Sequence, residues 1–282
     1  MFRGIENLII KPHERYQPKV DYPTQAIIVH HPSYIAIARE LAAESPNLSH
    51  DECWDHASHY RQKFIYKGVP FVIDDARDNA KDTIRHQLQN YFWGARNVLN
   101  IGAGGAVNPE IAIGDYVVGD RAFRDNGIDS NLASPDQEAI SSPSVSGLLY
   151  DVSSRLVRKG HTFRGDIWTV SNKYYTFDDL EAARDDGTFD LQAVEMEMAA
   201  FCIMAGWINA NYAEQMGELQ IGNLFYISDK LPQSPSEKWV DPMLDMSQLV
   251  AFKTQTLLSA INTLVEIAVR TTFQLNEPEL HH

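Results

Sequence analysis

Cysteine is scarce in this chain of 282 residues: Cys53 and Cys202 are the only two, and they lie far apart in sequence. That excludes the disulfide framework on which small secreted domains depend, and a reducing cytoplasm is the compartment such usage fits. Positive charge is scarce as well, with 24 Lys and Arg against 38 Asp and Glu and a formal net charge of −14. No Lys/Arg-rich run exists. Nucleic acids and acidic membrane surfaces are recognised by clustered cations that displace counterions, so neither is expected as a partner. Long apolar runs are missing too: the stretch from Met198 to Ile208 falls short of the roughly 20 residues that span a bilayer. The N-terminus lacks the continuous apolar centre of a signal peptide. There are no internal repeats and no low-complexity tracts. What remains is the composition of an ordinary folded protein, 44% hydrophobic and 22% charged, which at this length buries a large core.

Apolar patterning predicts strands alternating with helices. Ala26-Ile27-Ile28-Val29 is a β-branched run, and apolar residues over 35–42 recur at helical spacing. Phe64-Ile65-Tyr66 and Pro70-Phe71-Val72-Ile73 flank a turn at Gly68, as in a hairpin. Residues 80–93 read as a helix, 97–101 as a strand running into a glycine-rich bend, 115–118 as a strand, 145–157 as a helix and 167–170 as a strand. Residues 199–208 are apolar on every side, the mark of a helix buried in a large protein. A strand over 223–227 follows, then a long helix over 249–273 striped by Leu257, Ile261, Leu264 and Ala268. Continuous apolar strands between helices argue for an α/β sheet covered on both faces, and in such sheets ligands bind beyond the carboxyl ends of the strands.

Three strand ends carry unusual residues. Gly102-Ala103-Gly104-Gly105-Ala106-Val107 is only superficially a dinucleotide fingerprint. Val107 replaces the third glycine, and Pro109 opposes the helix whose N-terminus would hold a pyrophosphate. These glycines make a tight turn or let a ligand approach the backbone. Val194-Glu195-Met196-Glu197-Met198 sets two carboxylates at the mouth of the all-apolar helix. The macrodipole alone favours acids in a first turn, but carboxylates at the entrance to a buried element need partners, and ligand hydroxyls would serve. Ser228-Asp229-Lys230 follows an apolar strand; Asp229 is either a cap or turn residue or a general acid, since partial desolvation favours a protonated carboxyl. Cys53, His56 and His59 recur every three residues without an evident fourth ligand, so no metal is expected. Nor is there a Gly-x-Ser-x-Gly elbow to support a serine nucleophile.

Gly102-Ala103-Gly104-Gly105, Gly114-Asp115-Tyr116-Val117-Val118, Arg124-Asp125-Asn126-Gly127, Val194-Glu195-Met196-Glu197 and Ser228-Asp229 follow one another over residues 24–270. In this order and spacing they resemble the nucleoside phosphorylase and nucleosidase superfamily. Asn79-Ala80-Lys81, Asn172-Lys173 and Lys230 make the chain look most like the catalytic domain of AMP nucleosidases. The resemblance implies an α/β fold, a single-domain three-layer α/β/α architecture with a central mixed sheet over residues 24–274. Residues 1–23 are then an N-terminal extension and 275–282 a C-terminal tail. It also implies cofactor-free cleavage of a purine N-glycosidic bond by a homo-oligomer, dimer or hexamer, whose subunits complete one another's sites. By the same resemblance Asp229 protonates the leaving base, Glu197 holds the ribose hydroxyls with Met196 beneath the sugar, and Glu195 is a second ribose contact. Tyr174 stacks on the base, and Gly104 and Gly105 lie against the substrate. The chemistry is coherent: cleavage passes through an oxocarbenium-like state that carboxylates stabilise while an acid neutralises the leaving group.

Phosphorylases of this superfamily resemble one another in binding phosphate through a Gly-Asp-Pro loop with a nearby Arg, and through an Arg and a Ser flanking the glycine run. Those places here read His30-His31-Pro32-Ser33-Tyr34, Asn100 and Ala103, so water is the expected nucleophile. Asp74-Asp75-Ala76-Arg77-Asp78 also departs from the family's glycine-rich loop. The 5′-phosphate of a nucleotide needs cations, for which Arg124, Lys173, Arg77 and Lys230 are the candidates, each otherwise a solvated surface charge. The leading expectation is hydrolysis of AMP to adenine and ribose 5-phosphate. A phosphate-dependent purine nucleoside phosphorylase and a catalytically degenerate nucleotide-binding relative are the alternatives.

Overall fold

A strand buried on both faces needs a layer of structure on each side, and β1 (Gln25–Val29) has both. A computed structural model of the chain describes residues 12–54, 57–77, 80–125, 133–134, 137–171, 176–185, 187–237 and 244–276. Side chains of β1 alternate between two cores, as the period of two along a strand requires. Ala26 and Ile28 pack with α3 (Ala80–Trp93) and α6 (Met198–Met216). Ile27 and Val29 pack with α2 (Ser33–Glu44), α4 (Pro143–Leu156) and α7 (Met246–Asn276). The three-layer α/β/α architecture follows.

The other strands are β2 (Leu48–His50), β3 (Arg61–Tyr66), β4 (Val69–Asp75), β5 (Asn97–Ala106), β6 (Tyr116–Asp125), β7 (Ala139–Ile140), β8 (Thr162–Val170), β9 (Leu191–Glu195) and β10 (Gln220–Lys230). They lie in the order β10-β6-β8-β9-β5-β1-β4-β3-β2, with β7 on β6. The sheet is mixed. β1, β4, β5 and β10 run parallel; β6, β8 and β9 are parallel to one another and oppose the first set. β10 pairs with β5 as well as β6, so β5, β9, β8, β6 and β10 close into a ring.

Several elements depart from the patterns in the sequence. The glycine run after Ile101 is not a bend: β5 continues through Ala106, paired with β10 on one edge and with β1 and β9 on the other. β10 pairs with every residue from Gly102 to Ala106 and holds those glycines extended. Two short elements, β9 and α5 (Phe177–Asp185), have no strong periodicity and owe their form to the apolar cluster of Trp168, Val170, Leu180, Ala183 and Leu191. α1 (Pro12–Arg15) and the segment after it also join the fold, with Tyr16 and Tyr22 buried beside α3. Asp115 of the Gly-Asp-Tyr-Val-Val stretch is a loop clamp: its two oxygens accept the N–H groups of His161 and Ala112, both at 2.7 Å. Gly114 beside it holds φ 90°, and its α-carbon lies against the ring of Phe252. Among the described residues, no helix is long and apolar enough to cross a membrane.

Candidate active site

Carboxyl ends of both strand sets converge on one cavity of about 280 Å³. From the first set come His30 after β1, Gly102 to Gly105 of β5, and Ser228 and Asp229 of β10; from the second come Val170, Val194 and Glu195. Met196, Glu197, Leu231, Tyr226 and, from the helical layer, His31, Tyr34 and Lys253 complete the wall.

The glycines of β5 serve close approach rather than a turn, since none of Gly102, Gly104 and Gly105 has a positive φ. A Cβ on Gly105 would stand 2.9 Å from Leu231 Cδ1 and 3.0 Å from Asp229 Oδ2. Against β5, the register of β10 slips between Ile227 and Asp229, leaving Ser228 as the extra residue. Such a bulge re-aims the residues that follow it. Asp229 thereby borders the cavity, half-buried, with Ser228 Oγ donating to its Oδ1 at 2.5 Å.

Glu195 ends β9 and caps α6 from below. Its Oε2 accepts the backbone N–H groups of Glu197 at 2.7 Å and Met198 at 2.9 Å, and its Oε1 accepts the Thr169 hydroxyl at 2.5 Å. Glu197 therefore occupies the N-cap position of α6 rather than its first turn. Both carboxylates are buried, at 5% and 7% exposure, in a region where like charges stand close together. Burial first, and the charge of Glu197 second, push the Glu195 pKa above the ordinary carboxylate value, against the hydrogen bonds it accepts.

His30 is buried in the cavity wall. Its Nδ1 donates to the Arg77 carbonyl at 2.8 Å, and its Nε2 lies 2.6 Å from Asn100 Oδ1. At the N-terminus of α2, Lys253 Nζ donates to Ser33 Oγ at 2.9 Å, and Ser33 Oγ lies 2.7 Å from His31 Nδ1.

Of the residues singled out in the sequence, Glu195, Met196, Glu197, Gly104, Gly105 and Asp229 meet at this cavity. Lys173 and Tyr174 lie outside the described residues. Arg124 does not line the cavity; its guanidinium donates to the carbonyls of Ser134 and Gln137, both at 2.8 Å. Lys230 Nζ reaches the Pro109 carbonyl at 3.2 Å, and Arg77 stacks on Tyr60, so neither faces the cavity. Among the described residues, the basic side chains in the wall are Lys253, His30 and His31. Lys253 had a signal in the sequence, for it stands four residues before Leu257 and continues the buried stripe of α7 by one turn. His30 had one as well, as the polar residue that ends the apolar run of β1.

Residues 80–223, half of the chain, match the phosphorylase superfamily, and the chain belongs to that family. It stands among the nucleoside phosphorylases and nucleosidases, enzymes of the N-glycosidic bond. No curated protein sequence matches it. The fold is shared with several solved structures of low identity. AMP nucleosidase from Bacteroides thetaiotaomicron is 15% identical with a TM-score of 0.66, the alignment covering 95% of this chain and 99% of that one. Uridine phosphorylase from Vibrio fischeri is 17% identical with a TM-score of 0.65, covering 89% and 97%. Purine nucleoside phosphorylase from Toxoplasma gondii, in complex with immucillin-H, is 17% identical with a TM-score of 0.63, covering 87% and 94%.

Proposed function

We propose that this chain hydrolyses the N-glycosidic bond of a purine nucleotide or nucleoside, with AMP, cleaved to adenine and ribose 5-phosphate, as the leading substrate. The observation that carries the reading is the meeting of Glu197, Met196 and Asp229 on one cavity at the carboxyl ends of both strand sets. In this mechanism Asp229 gives a proton to the departing base while Glu197 accepts the ribose hydroxyls and faces the growing positive charge of the sugar. Met196 lies under the ribose, and Glu195 acts by capping α6 and so holding the Glu197 backbone in place. Lys253 and His31, beside the N-terminus of α2, are the groups suited to a 5′-phosphate. Water as nucleophile is supported by Asn100, whose amide bonds His30 and Asn223 rather than facing an anion, and by Ala103, which has no hydroxyl.

Incubation with AMP, adenosine and inosine, with and without inorganic phosphate, while free base is followed, tests the reading. Base release without phosphate is expected; strict dependence on phosphate would favour phosphorolysis. One observation supports that second reading: the same Lys253 and His31 would meet inorganic phosphate equally well. Homo-oligomerisation with shared sites is a corollary, and light scattering that returned a 31.9 kDa monomer would count against it.

A further inference from the structure

A chain of side-chain hydrogen bonds runs from the cavity wall into the sheet, and its two ends set its polarity. At one end Ser141 Oγ donates to the Gly119 carbonyl at 2.6 Å, so its lone pairs meet Asn223 Nδ2, 2.9 Å away. Asn223 Oδ1 then accepts from Asn100 Nδ2 at 2.8 Å, and Asn100 presents Oδ1 to His30 Nε2. At the other end His30 Nδ1 meets the Arg77 carbonyl. Carbonyl oxygens only accept, and a neutral imidazole has one N–H for two nitrogens. A neutral His30 would leave two lone pairs facing each other at 2.6 or 2.8 Å in a buried site. Turning both amides over would relieve this only if Ser141 released Gly119 and donated to Asn223 instead.

The surroundings of the ring favour the same charge state. Glu197 and Glu195 border the cavity with His30, as do Asp229, His31 and Lys253. Burial works against a charged ring, but the carboxylate of Glu197, the bonds to Asn100 and Arg77 and the charge of Glu195 outweigh it, and the His30 pKa stands above its ordinary value.

We propose that His30 is a lasting imidazolium, its two N–H groups locked between Asn100 and the Arg77 carbonyl, and that it is the built-in counter-ion that keeps Glu197 ionised. The functional meaning rests on the glycosidic reading, because a carboxylate rather than a carboxylic acid accepts ribose hydroxyls and stabilises an oxocarbenium-like sugar. His30 is then a positioning residue that acts through Glu197. It also answers how two glutamates two residues apart are tolerated in a buried site.

Long-range 15N–1H correlation on histidine-labelled protein, taken about two units above the ordinary histidine pKa of about 6.5, tests the charge state directly and needs no turnover. Both His30 ring nitrogens are expected to be protonated; one unprotonated nitrogen would overturn the proposal. His30→Gln assigns the signal, and should that variant fail to fold, Asn100→Ala assigns it by loss of the Nε2 acceptor. The counter-ion role is read from 13C-carboxyl-labelled glutamate. With His30 or Asn100 replaced, the Glu197 resonance should titrate at higher pH than in the parent protein, and an unmoved resonance would overturn that role. Base release should fall by up to roughly 100-fold in His30→Gln, the scale of loss when a reacting group is misplaced, and Glu197→Gln should cost less in that background than alone. If both spectroscopic results appear and no nucleotide or nucleoside is cleaved, the imidazolium stands and the glycosidic reading falls.

Discussion

Two buried charge clusters lie at the ends of neighbouring strands, and they are built on opposite plans. At the end of β4, Asp74 is fully buried: its Oδ2 accepts from Arg61 Nε at 3.0 Å, from Arg61 Nη2 closer still and from Asn90 Nδ2 at 2.9 Å, and the His86 ring stands beside its Oδ1, Nδ1 lying 2.7 Å away. Burial opposes its charge, but Arg61 and His86 outweigh burial and hold its pKa below the ordinary value. Arg61 stacks on Trp93, and Tyr22 donates to Asn90, so the cluster closes on itself. Beyond β1, β5 and β9, Glu195 and Glu197 are like charges set together, with Asp229 and the proposed counter-ion His30 around the same opening. Buried charge does not mark a site by itself. Opposite charges bonded to one another are architecture, whereas like charges gathered around an opening are arranged for something that arrives.

The comparison breaks if the two clusters respond alike to substitution. Asp229→Asn is expected to lower base release 10²-fold to 10⁴-fold, the range for a general acid, with little change in the unfolding midpoint. Steady-state kinetics and urea denaturation on the same sample check both halves. Arg61→Met is the converse: it leaves Asp74 buried without its strongest cationic partner, at a cost of up to about 3–5 kcal/mol in unfolding free energy, with base release per folded molecule unchanged. A strongly destabilised Asp229→Asn, or an inactive but stable Arg61→Met, would erase the distinction.

How much of this was legible beforehand follows from the same physics. Strands β1, β4 and β10 and the helices α3, α6 and α7 announce themselves because burial on one or all faces dictates their apolar periodicity. β9 does not, because it is a short strand whose form is imposed by β5 and β8 on either side. Glu195 and Glu197 stood out by type and spacing, yet their division of labour did not. One caps the helix and the other faces the cavity only because β9 runs through Glu195 before α6 begins. The cations were hardest. Arg124 and Lys230 neighbour motif residues in sequence but satisfy loop carbonyls, while Lys253 reaches the cavity from 220 residues beyond Ser33, a proximity that only tertiary packing creates.

The like-charge cluster also has a signature in pH. Glu195 has a folded pKa raised above its unfolded value, so the folded state binds its proton more tightly. Its contribution to stability is complete below the ordinary carboxylate pKa of about 4.3 and is lost as pH rises through the folded value. Each unit of that elevation is worth about 1.4 kcal/mol. Denaturant unfolding across this window should show stability falling with pH, and Glu195→Gln should flatten the fall. Asp74 has the opposite sign: its stabilisation is present above the ordinary value and lost on acidification. A Glu195→Gln profile parallel to the parent would place the proton on another group of the pair.

The smallest expected effect asks whether the cavity is built for a phosphate as well as a sugar and a base. Lys253 is half-buried at the cavity wall, bonded to Ser33 Oγ and lying 5.8 Å from the Tyr34 ring centroid. Lys253→Met keeps the length and apolar stem of the side chain and removes the charge. If the charge meets a 5′-phosphate, KM for AMP should rise about 10-fold, close to 1.4 kcal/mol, while KM for adenosine stays within about 2-fold. The AMP effect should also shrink as salt rises, because a partly exposed ion pair is screened. An equal loss for nucleotide and nucleoside would assign Lys253 to the support of Ser33 and α2, and the like-charge cluster would then be a site for sugar and base alone.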